Sequence, residues 1–105
     1  TAIGHNALYA NTTGTTNNAF GKAALDSNTT GSNNVGLGDT CLGANTTGYQ
    51  NTAVGNSAGS AVTTGYYNTI IGNACGDNIT TGSSNIIIGY NVDAASATAS
   101  YHHIW

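Results

Sequence analysis

The chain has 105 residues, enough for one domain, and only 5% of them carry charge: Lys22 against Asp26, Asp39, Asp77 and Asp93, a net charge of −3. Gly, Asn, Thr, Ser and Ala stand where Glu, Lys, Gln and Met would, which excludes a solvated helical protein. A single Lys leaves no basic surface for nucleic acid or an acidic membrane, and the longest apolar run, Ile86-Ile87-Ile88, is too short to insert into a bilayer.

Low charge and abundant Gly also fit a disordered tract, but here Ile, Val and Thr recur on a strict count. Gly4, Gly21, Gly38, Gly55, Gly72 and Gly89 follow one another at 17-residue steps. Asn17 to Asn85 and Gly14 to Gly82 keep the same step, each of the latter behind a Thr-Thr pair. Three columns in one register define a repeat protein, whose units bury together a core that none buries alone. The expected fold is all-β: a parallel β-solenoid, or β-roll, of about six 17-residue coils, which are too short to hold two helices.

Taken in order, coils start at Thr1, Asn18, Val35, Thr52, Thr69 and Ile86. Within each, positions 17 to 3 are predicted as a strand and positions 7 to 11 as a weaker second one. Gly at positions 4 and 14 supplies the corners, including positive φ. Position 3 is always large and apolar (Ile3, Phe20, Leu37, Val54, Ile71, Ile88) and is predicted as the core column. Position 7 (Ala7, Ala24, Cys41, Ala58, Cys75, Val92) is small or modest and packs beside it. The regular solenoid is expected over residues 1–91. Over 92–105 the Thr-Thr-Gly corner disappears, although the count still places His103 on position 1 and Trp105 on position 3. That stretch is expected to be a degenerate coil and exit segment. With no Met and Thr1 in first place, the chain is expected to be a piece of a longer protein.

Candidate chemistry is sparse. Cys41 and Cys75 share a column two coils apart, about 9–10 Å, beyond disulfide reach, and are expected to be reduced. The four carboxylates occupy scattered columns, with Asp26 and Asp77 three coils apart, so no pair poised for glycoside hydrolysis is expected. His102-His103 point to opposite faces of a strand and make a poor metal site. No catalytic, cofactor-binding or metal-ligating set is therefore expected, and the chain is not expected to be an enzyme. Tyr49 and Tyr66 share position 15, with Tyr67 beside them. They read as a cross-coil aromatic ladder or as a surface that grips a sugar ring, such as a cell-surface glycan. Asn11, Asn28, Asn45 and Asn78 each begin an N-x-[ST] sequon, to be read as glycosylation sites or as by-products of the repeat.

The units Asn51-Thr52-Ala53-Val54-Gly55-Asn56-Ser57-Ala58 and Asn68-Thr69-Ile70-Ile71-Gly72-Asn73-Ala74 resemble the head repeats of trimeric autotransporter adhesins and the related repeats of phage tail fibres. The resemblance covers nearly all of residues 1–91; this coil is longer by its Thr-Thr-Gly corner. It implies a left-handed roll, three chains side by side about one axis, and attachment to a host surface. Residues 94–105 resemble the exit from such repeats, where a further domain follows. Oligomerisation has an independent argument, since a thin core of Ala, Cys and Val calls for partners. The leading expectation is thus a structural or adhesive segment of a trimeric surface adhesin or tail fibre, extracellular, on a cell surface or a virion. The alternative is a filament subunit stacked end to end. A third reading, an ice-binding solenoid, starts from the paired Thr columns but needs Thr at i and i+2 on one face.

Overall fold

The structure, a computed structural model, describes residues 1–100 and 103–104, the last two by their backbone. It is a parallel β-solenoid with a 17-residue step, and no described residue is helical. One short strand falls in each coil: β1 (Ala2–Ile3), β2 (Asn18–Phe20), β3 (Val35–Leu37), β4 (Thr52–Val54), β5 (Thr69–Ile71), β6 (Ile86–Ile88) and β7 (His103–Ile104). They form a single parallel sheet in chain order, each residue paired with the one a coil further on, as in Ala19 with Gly36 and Gly36 with Ala53. The roll measures 31 × 21 × 16 Å.

The second strand does not form. Positions 5 to 10 wind through turns, with left-handed backbone at position 6 (Asn6 through Asn91) and at position 8 (Leu8, Leu25, Leu42, Gly59, Gly76). Two left-handed residues so close together bend the chain back before a ladder can extend. Position 16 is left-handed too, from Thr16 to Ser84. Of the two corner glycines, Gly4 and its column carry the expected positive φ, +131° to +147°. The Gly14 column does not. It is glycine for lack of room, because a Cβ there would strike the carbonyl oxygen of the next coil's column-14 residue.

The core column is position 2, not position 3. Ala19, Ala53, Ile70 and Ile87 are fully buried, whereas Ile3 is 58% exposed, Leu37 46%, Ile71 38% and Ile88 39%. Side chains of a strand alternate sides, so a strand over positions 1 to 3 with position 2 inward must turn position 3 outward. Opposite the strand, position 8 fills the interior with Leu25 and Leu42, and position 11 with Val62 and Ile79. The two sides compensate in size. Where position 8 is Leu, position 2 nearby is Ala19 or Gly36, and a Cβ on Gly36 would sit 3.4 Å from Leu25. Where position 2 is Ile70 or Ile87, position 8 is Gly76, whose Cβ would come within 3.2 Å of both.

Polar ladders complete the interior. Each position-17 Asn from Asn17 to Asn68 accepts at Oδ1 from the backbone N–H of the next, as Asn34 does from Asn51 N–H (3.0 Å). Its Nδ2 donates to the position-14 carbonyl one coil on, as Asn34 does to Gly48 (2.8 Å). A second ladder joins Asn28 Nδ2 to Asn11 Oδ1 (2.8 Å) and Asn45 Nδ2 to Asn28 Oδ1 (2.7 Å). These bonds satisfy amides that would otherwise be costly to bury. The Thr-Thr-Gly corner closes on one atom. The Thr46 carbonyl accepts from the N–H groups of Thr29, Thr30 and Gly31 and from the Thr29 hydroxyl. Coil 6 keeps this register without the motif, because only carbonyls are required of it. Ala97 O accepts from Thr80 and Gly82, and Ala99 O accepts from Asn85 Nδ2.

Candidate functional site

The most regular surface is the outward face of the sheet. Its position-3 column runs Ile3, Phe20, Leu37, Val54, Ile71, Ile88, one apolar side chain per coil along the roll. Position 1, the other outward column of β2 to β6, holds Asn18, Val35, Thr52, Thr69 and Ile86, so no ionisable side chain interrupts the face over those five strands.

The second surface is the corner at positions 15 and 16 of coils 3 and 4. The rings of Tyr49 and Tyr66 stack with centroids 4.9 Å apart and planes within 2° of parallel. Tyr67 stands edge-on to both, at 5.6 Å and 5.3 Å. All three are exposed. Desolvation, followed by the nearby phenols of Tyr67 and Tyr66, raises the Tyr49 hydroxyl above its ordinary value and keeps it protonated. The cross-coil aromatic ladder is therefore present, and its outer surfaces remain open to solvent.

The paired Thr columns divide. Thr12, Thr29, Thr46 and Thr63 each donate their hydroxyl to the carbonyl of the Thr one coil on. That leaves position 13, from Thr13 to Thr81, as one exposed Thr column rather than a paired array. Two of the four sequon asparagines are interior and two are half-buried. Asn28 and Asn45 are buried in the second ladder with their Nδ2 atoms hydrogen-bonded, Asn11 Nδ2 donates to Gly14 O, and Asn78 Nδ2 donates to Ala94 O. The folded coil gives no access to Asn28 or Asn45.

One carboxylate pair does meet, against expectation. Asp77 at position 9 and Asp93 at position 8 of the next coil lie within hydrogen-bonding reach. Desolvation first, then the hydrogen bond to Asp93 and its negative charge, raises the Asp77 pKa. The two stand in adjacent columns of adjacent coils, a diagonal relation that matching residues column by column does not reveal. The Cys75 thiol lies near enough for both charges to add to the rise that burial gives it, but no group of three or more His, Cys, Asp or Glu able to hold a metal forms among the described residues. Cys41 and Cys75 are free and buried. Burial pushes the Cys41 thiol up to about 12 and also raises that of Cys75. Both are unreactive fillers of the position-7 column. The His102-His103 side chains and Trp105 lie outside the described residues, and no described helix is long and apolar enough to cross a membrane.

No protein-family model, curated protein or solved structure matches the chain.

Proposed function

We propose that this chain is a structural segment of an adhesive fibre, the head or shaft of a trimeric surface adhesin or a phage tail fibre, working outside the cell or on a virion. In this reading it carries no chemistry of its own; it supplies length and stiffness and associates side by side with its copies. The observation that carries the reading is the outward position-3 column. A folded chain that leaves Ile3, Leu37, Ile71 and Ile88 in water, in line and without a charged neighbour on the face, has a stripe suited to another chain. Identical chains aligned in parallel bring the same uncharged column together at every coil, so a closed ring needs no second kind of surface. The chain's resemblance to adhesin-head and tail-fibre repeats supports three as the number.

Sedimentation equilibrium tests this. The wild-type chain is expected to sediment as a discrete trimer. Leu37→Asp combined with Ile71→Asp should sediment as a folded monomer, because two charges placed in the stripe cannot be buried against a neighbour. A wild-type monomer at all concentrations would sink the proposal, and a mass that grows without limit would favour stacking end to end.

A further inference from the structure

The tyrosine corner breaks the repeat, and the break has a structural consequence. In coils 2, 5 and 6, position 15 is Ser, and its Oγ accepts from the backbone N–H of position 15 one coil earlier. Thr15 N–H donates to Ser32, Tyr66 N–H to Ser83, and Ser83 N–H to Ser100. Tyr49 and Tyr66 replace that hydroxyl, so the N–H groups of Ser32 and Tyr49 lose the acceptor that the serine coils provide. Tyr67 adds a second departure. It holds a left-handed φ of 58° where coils 1, 2, 3 and 5 carry the smaller Thr16, Asn33, Gln50 and Ser84. Architecture alone favours Ser and Asn here, and three aromatics in two adjacent coils oppose that preference.

The departure builds an aromatic platform of two stacked rings and a third set edge-on to both. Tyr49 and Tyr66 cover each other's inner faces, and their column neighbours are Ser32 and Ser83, which have no ring to cover the outer ones. Tyr67 walls one side. Exposed amides of Asn33 and Gln50 follow in the Tyr67 column, and exposed hydroxyls of Thr47 and Thr64 lie two residues before the stacked rings. From position 11 to position 17, coils 1 to 5 carry no ionisable group other than these phenols.

We propose that Tyr49, Tyr66 and Tyr67 form a carbohydrate-binding site for neutral, hexose-containing glycans. A pyranose has one face of C–H groups that packs on an aromatic ring and a rim of hydroxyls that needs amide and hydroxyl partners. The platform offers both. The absence of cationic groups from the corner disfavours sulfated or sialylated chains and nucleic acid bases on a phosphate backbone. As the receptor contact of a fibre the site rests on the function proposed above; the binding itself does not.

Affinity electrophoresis of the full chain through gels containing dextran, mannan or galactan tests it, with heparin and a proline-rich peptide as further arms. Retardation is expected with at least one neutral polysaccharide and not with heparin. It should vanish in Tyr49→Ser/Tyr66→Ser and weaken in Tyr67→Asn. These substitutions restore the residues of other coils, so melting temperature and sedimentation should hold or improve, which separates loss of the site from loss of the assembly. No retardation by any neutral polysaccharide, retardation unchanged in the variants, or binding to the peptide or heparin alone would overturn the assignment.

Discussion

Val62 occupies the position directly above Asn45 in the position-11 column, and Asn45 Oδ1 is the one buried side-chain oxygen or nitrogen without a hydrogen-bond partner among the described residues. In the two coils below, that oxygen accepts from the next Asn, but valine has nothing to donate. The interior changes here from an amide ladder to an apolar column, and one orphaned acceptor marks the seam. Asn45→Val moves the seam down one coil and orphans Asn28 instead, so it should be nearly neutral. Asn28→Val interrupts the ladder and removes the donor to Asn11 while Asn45 stays orphaned, and should cost about 1–3 kcal/mol. Denaturant melts of the two variants check the difference.

The size compensation across the core gives a second test. Gly76→Leu forces a side chain against Ile70 and Ile87 and should destabilise by roughly 1–3 kcal/mol or more. Ile70→Ala leaves a cavity and should cost about 2–5 kcal/mol. Combined, Ile70→Ala opens space on one of the two sides that the new side chain strikes, Ile87 remaining on the other, so the double variant should be more stable than the sum of the two losses implies. Strict additivity in a double-mutant cycle would mean that positions 2 and 8 do not share the space.

That compensation also explains what the sequence concealed. The 17-residue period, the parallel coil and the Gly4 corner were legible because each is a column of one residue type. The inward side of the strand was not. Position 3 is uniformly large, whereas the true core column holds Ala19, Gly36 and Ala53 before Ile70 and Ile87, its size set by whatever faces it from position 8. Uniformity at position 3 describes the outward stripe instead. The tyrosine corner was visible as three residues in register. The Asp77–Asp93 contact was not, because it joins different columns through turns whose left-handed residues include Ala74, a type that does not advertise positive φ.

Asp77 sets a pH dependence. Its folded pKa is raised, so the folded chain holds a proton there that the unfolded chain gives up. Stability from this group is fully present below the ordinary carboxyl range and lost as pH rises through the raised value. Asp77→Asn removes one of two facing charges and should melt slightly higher than wild type at pH 7. The advantage should disappear under acid conditions where both carboxyls are protonated. Thermal melts at the two pH values check the sign. A gain that persists in acid would mean that charge is not its source.

Ile70 and Ile71 decide which side of the strand faces the core. They are neighbours of the same type on β5, one buried and one partly in water. Thermal melts of Ile70→Asp and Ile71→Asp, followed by circular dichroism in dilute solution, compare them directly. Ile70→Asp buries an unpaired charge and should abolish the cooperative β-sheet transition. Ile71→Asp should keep that transition, with the charge in solvent. Loss of the fold in Ile71→Asp with retention in Ile70→Asp, or equal loss in both, would contradict the inward column and the exposed stripe together.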